Sequence, residues 1–168
     1  MKGTRSVSRL LVGGDRGISA AVYGTVLAMA SIAAGAFAHV GPRELIGIVA
    51  TTSFVIWLAH VYAETLGESI ERAHRIDWDE FTSLATRELP ILGAAAAPIS
   101  VLLLGALGIV EESTDIWLAF GLGFVALAAQ GRRYARVEGL GAARTTVVIA
   151  LNLALGGIVV VLKVLVSH

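Results

Sequence analysis

The chain has 168 residues, of which 56% are hydrophobic and 15% charged, with a formal net charge of zero and a mean hydropathy of +0.78. Soluble domains carry roughly 25% charged residues, so a water-soluble fold of this size lacks the polar residues to cover its surface. Cysteine is absent, which excludes disulfides, zinc–thiolate sites and iron–sulfur clusters.

In chain order, a basic segment with Lys2, Arg5, Arg9 and Arg16 precedes a first apolar run over residues 17–40. A basic start, an apolar run and Ala36-Phe37-Ala38 also have the form of a cleaved signal peptide. The run exceeds the usual h-region of about 7–15 residues, so it is expected to stay as a membrane span. Further apolar runs cover 45–66, 91–110, 116–134 and 145–166. They show no period-2 alternation and are too long for buried strands. At about 1.5 Å per residue the longer ones cross a hydrocarbon core of about 30 Å as helices. The predicted fold is all-α: a single polytopic transmembrane helical bundle of about five spans.

Between the second and third runs lies a polar connector over 67–89. Asp77 with Glu80 three residues on has the form of a capping box. Trp78, Phe81, Leu84 and Ala85 follow at helical spacing, which fits a short amphipathic helix on the membrane surface leading to Pro90. A solvated connector is the other reading of this segment.

Charge placement predicts the topology. Lys2, Arg5, Arg9 and Arg16, then Arg72, Arg75 and Arg87, then Arg132, Arg133, Arg136 and Arg144 fall on one side of a five-span chain, leaving only Arg43 and Lys163 elsewhere. By the positive-inside rule that side is the cytoplasm. The N-terminus is then inside and the C-terminus at His168 outside. The outer side receives Gly41-Pro42-Arg43-Glu44 and an acidic loop with Glu111, Glu112 and Asp115. The expected location is the plasma membrane, with the lipid bilayer as partner.

Small residues recur within the runs, including Gly24, Ala28, Gly93, Gly105, Gly121, Gly123 and Gly156. In lipid such residues let helix backbones approach, so they are read as helix–helix packing positions or a homodimer face. Asn152 and Gln130 are read as interhelical hydrogen-bond partners.

A charge at the centre of a membrane helix costs about 2.5–3.5 kcal/mol on insertion scales, so ionisable residues there mark pathways or buried partners. His60 and Glu64 stand four apart on one helical face, which continues through Ser53 and Trp57 in one direction and Glu68 and Glu71 in the other. Imidazole and carboxylate together suit iron, manganese or zinc, and a histidine also relays protons in the physiological range. Alternatively, Glu64 sits at the inner interface and His60 bonds a neighbouring helix. No Gly-rich phosphate cradle, nucleophile elbow or His-Glu-x-x-His helix occurs, so no enzyme class is supported, and no nucleic-acid partner is expected.

Three segments resemble the vacuolar iron transporter family. Leu11-Val12-Gly13-Gly14-Asp15-Arg16-Gly17-Ile18-Ser19 is similar to the Gly-rich, Asp-containing approach to that family's first helix, with Arg16 separating the Asp and Gly that the family holds adjacent. His60-Val61-Tyr62-Ala63-Glu64 is similar to a second-helix segment with a methionine followed four residues later by glutamate, His60 taking the methionine's place. Gln130-Gly131-Arg132-Arg133, leading through Gly139 to Ala142-Ala143-Arg144-Thr145, is similar to the basic turn before the last helix. The resemblance implies five helices, N-in and C-out, usually dimeric. It also implies a divalent metal ion, iron or manganese, as substrate. Such proteins often carry a long Glu-rich cytoplasmic module between helices two and three. Here only the short connector stands there, with Glu68, Glu71, Asp77, Asp79, Glu80 and Glu88 as scattered acids.

The expected function is thus a small transporter or channel-like protein for a divalent cation, coupled or not to protons. His60 and Glu64 form the membrane site, Asp15 stands at the inner mouth, and Glu68 and Glu71 line the approach. The alternative is a non-transporting membrane scaffold or accessory subunit packing through its Gly and Ala faces.

Overall fold

The computed structural model describes residues 15–38, 40–72 and 77–166, with the backbone alone at 15, 16, 72, 112, 113, 163 and 166. The described residues form helices α1 (Asp15–Phe37), α2 (Pro42–Arg72), α3 (Trp78–Arg87), α4 (Leu89–Ala106), α5 (Glu112–Val137) and α6 (Ala142–Val166), and no strand. Five segments are long and apolar enough to cross a membrane: Gly17–Phe37, Pro42–Glu71, Trp78–Ala106, Thr114–Val137 and Ala142–Leu162. The chain is an all-α integral membrane protein. Lys2, Arg5, Arg9, the Leu11-to-Gly14 lead-in, Arg75 and His168 lie outside the described residues, as do the side chains of Asp15 and Lys163.

Local chemistry sets the helix ends. Proline at the start of α2 sits where a missing N–H costs nothing. At α3, the Asp77 carboxylate accepts from the Glu80 amide at 2.9 Å and the Glu80 carboxylate accepts from the Asp77 amide at 3.4 Å, completing the capping box. Pro90 has no N–H with which to continue α3, so the chain bends at Glu88 and restarts as α4. Gly108 and Gly139, at φ +71° and +63°, close α4 and α5. The Leu140 amide reaches back to the Ala135 carbonyl at 2.8 Å and the Ile109 amide to that of Leu104 at 3.0 Å. This is the left-handed stop in which an L side chain is disfavoured.

Central α1 packs against α2, α4, α5 and α6; α2 with α3 flanks α4, and α6 flanks α5. The core joins Met29 and Ile32 of α1, Leu45 and Val49 of α2, Leu102 of α4, and Phe120 and Leu127 of α5. Lipid tails are as apolar as leucine, so helices associate through close packing and interhelical hydrogen bonds rather than through loss of water. Close packing is clearest at Gly24, where an added Cβ would come within 2.6 Å of the Ile91 carbonyl oxygen and 2.8 Å of its Cα. Gly123 admits Met29, and Gly156 admits Leu127 and Phe124. The Asn152 amide donates to the Leu127 carbonyl at 3.1 Å. The Gln130 amide donates at 3.1 Å to the Thr25 hydroxyl, which donates to the Ala21 carbonyl at 2.7 Å.

Gly123 packs within the protomer, whereas Gly93 and Gly121 are exposed with open space where a side chain would stand, the helical turn that aims Gly123 inward aiming Gly121 away; for these two only the intermolecular reading is left. Two placements differ from the sequence expectation. Asp115 is no loop residue: it lies in the first turn of α5, wholly buried, its carboxyl occupying the space left by Gly105 of α4. Helix α2 runs well past residue 66 to Arg72, carrying Glu68 and Glu71 on the same rigid element as His60.

Candidate functional site

The start of α1, the far half of α2, and the α3–α4 junction meet at one end of the molecule. Gly17 faces Pro90 there, and a cavity of about 440 Å³ is lined by Ser19, Ala20, Tyr23, His60, Glu64 and Glu88. Each helix supplies its part for a local reason. Tyr23 sits one position before Gly24, whose missing side chain lets α1 close on Ile91. His60 and Glu64 are successive turns of one α2 face. Glu88 is the bend residue forced by Pro90, and the bend turns it inward under α2, 4% exposed.

His60 Nε2 lies 3.4 Å from Glu88 Oε2, and the His60 ring is 5.9 Å from that of Tyr23. The other Glu88 oxygen accepts from Arg87 Nε at 3.4 Å. Arg87 Nη2 stands 3.5 Å from both Glu64 Oε2 and Glu68 Oε1. One guanidinium is therefore shared among three carboxylates from α2 and the α3–α4 bend. These distances exceed the roughly 2.7–2.9 Å of close charge-assisted bonds, so the cluster is loosely drawn together rather than locked. Trp57 donates its indole N–H to the Ala85 carbonyl at 3.2 Å, pinning α3 to α2 beside the cluster.

The residues read from the sequence divide as follows. His60 and Glu64 line the same cavity, where His60 is paired with Glu88 and Glu64 with Arg87. Glu68 belongs to the Arg87 cluster, and Glu71 is exposed near the end of α2. Asp15 opens α1, its side chain outside the described residues. Spacing along the chain does not single out Glu88, Arg87 or Tyr23. The local signal for Glu88 is an acid directly before Leu89-Pro90 at the start of an apolar run. Among the described residues no three His, Asp or Glu side chains converge closely enough to hold a metal ion as they stand. No family model, curated protein or solved structure matches the chain.

Proposed function

We propose that the protein is a small membrane transporter for a cation, with a divalent metal ion such as iron or manganese as substrate and protons as the counter-ion. The observation that carries this reading is Glu88, a buried carboxylate that opens on a cavity together with His60 and Glu64. A buried acid at the end of a membrane helix is costly unless it has cationic partners. Imidazole and carboxylates match the donor preferences of these metals. Arg87 acts as a tethered cation: it shares the carboxylates in the state described, and the substrate ion takes its place when it enters. The shift would bring His60, Glu64 and Glu88 into closer convergence than they have here.

The Lys and Arg distribution supports an N-in, C-out arrangement with this cavity on the cytoplasmic side. The short resemblances to the vacuolar iron transporters point the same way, and homodimerisation and residence in the plasma membrane belong to this reading. The test is uptake of manganese or ferrous ions into proteoliposomes, read with a fluorescent indicator, alongside metal-dependent thermal shift. Glu88→Gln and His60→Ala should each remove both responses while preserving expression. A parent protein indifferent to every divalent ion would sink the proposal.

A second reading rests on Arg87 itself. Bridging Glu64, Glu68 and Glu88, with Trp57 bonded to Ala85, it also serves as a latch holding α3 to α2. In a non-transporting scaffold that latch would be the whole purpose of the cluster. Glu88→Gln would then lower thermal stability and leave metal responses absent in parent and variant alike.

A further inference from the structure

A second cavity, of about 550 Å³, lies where α5 hands over to α6, at the same end of the molecule. Its lining includes Arg132, Arg136, Leu140, Thr145, Thr146 and Ile149, and no carboxylate. Arg132 and Arg136 are four apart, so both project from one face of the last turns of α5. Neither has a carboxylate partner among the described residues. The Thr145 and Thr146 hydroxyls donate to the Gly141 and Ala142 carbonyls at 3.1 Å. Their hydrogens are committed, which leaves the two guanidinium groups as the side-chain donors lining the cavity. Arg133 and Arg144 add positive charge nearby, against Glu138 as the acid of this stretch.

The edge of α6 that begins at Thr146 continues away from the cavity through Ala150, Ala154 and Val161, all exposed. In a membrane that aliphatic stripe meets acyl chains. A cationic cavity at the head of a lipid-facing stripe has the charge and layout of one ligand class, an anionic lipid.

We infer that this cavity binds an anionic phospholipid, its phosphate held between Arg132 and Arg136 and its acyl chains laid along the α6 edge that runs from Thr146 through Ala150 and Ala154 to Val161. The guanidinium fork matches phosphate oxygens in a way a lysine ammonium does not. The site is independent of the cation-binding cavity beside His60.

The test measures Tm of the full chain in phosphatidylcholine nanodiscs with increasing phosphatidylglycerol, beside the same protein in detergent titrated with inorganic phosphate or glycerol 3-phosphate. Phosphatidylglycerol should raise Tm, and the small anions should not. Arg132→Gln and Arg136→Gln should each weaken the apparent lipid affinity roughly fivefold, and the double variant by the product. Both residues are exposed, so the variants should fold. Arg144→Gln removes the same charge from outside the cavity lining and should leave the response unchanged. An equal response to inorganic phosphate would make this a free-anion site and overturn the lipid assignment. An unaltered double variant, or equal loss in Arg144→Gln, would overturn the cavity as the site.

Discussion

Glu88 at the α3–α4 bend and His60 in the middle of α2 stand 3.4 Å apart, carboxylate to imidazole, across 28 residues of sequence that include the polar connector. The pair joins the one nearly buried acid of this cluster to the cavity that His60 and Glu64 line. The acid side chains are not equivalent: that of Glu88 is 5% exposed, against 41% for Glu64.

This inequality predicts a ranking. Glu88→Gln should weaken manganese binding at least about tenfold, enough to remove the thermal shift, as a buried charge has few substitute ligands in a membrane. Glu64→Gln should have the smaller effect, because water screens and replaces an exposed carboxylate. Isothermal titration in detergent reads both, and the opposite order would place the site nearer the surface end of α2.

Removing the tethered cation separates its two roles. Arg87→Gln should tighten divalent-ion binding several-fold by releasing Glu64, Glu68 and Glu88 from competition, while loosening α3 from α2. Hydrogen exchange over Trp78–Arg87 should rise in the variant. Faster exchange with unchanged or weaker metal binding would leave Arg87 as a latch alone.

Topology is open to a clean experiment because the chain has no cysteine of its own. Single cysteines at Arg75 and Arg136 should be labelled from the cytoplasm, and those at Glu112 and His168 from outside. Labelling of the His168 variant from the same side as Arg75 would rule out five crossings.

The glycines should separate by position. Gly24→Ala drives a methyl into the Ile91 backbone and should cost about 1–3 kcal/mol, read as a lowered Tm. Gly123→Leu should destabilise the protomer likewise through Met29. Gly93→Leu and Gly121→Leu, on open faces, should leave Tm unchanged and weaken a dimer wherever those faces form the contact. Light scattering in mild detergent distinguishes the outcomes.

What the sequence by itself determined is what depends on neighbours along the chain. Five apolar runs became helices of spanning length because unpaired backbone groups are not tolerated in hydrocarbon. Asp77 and Glu80 closed their capping box because the partners are three residues apart. Asn152 and Gln130 bonded across helices, as polar groups in lipid must. Relations between helices were decided by the tertiary structure alone. An i, i+4 spacing puts His60 and Glu64 on one face, but which groups face them depends on the bend at Pro90 that carries Glu88 and Arg87 beneath α2. Asp115 looks like a loop acid until α5 is seen to begin before it and Gly105 to make room for it. Gly121 and Gly123 are alike as residues two apart, and only the rotation of α5 against α1 makes one a contact and leaves the other open. Periodicity specifies a helix's faces; the partner of each face is set by packing between segments distant in sequence, where no local pattern carries the information.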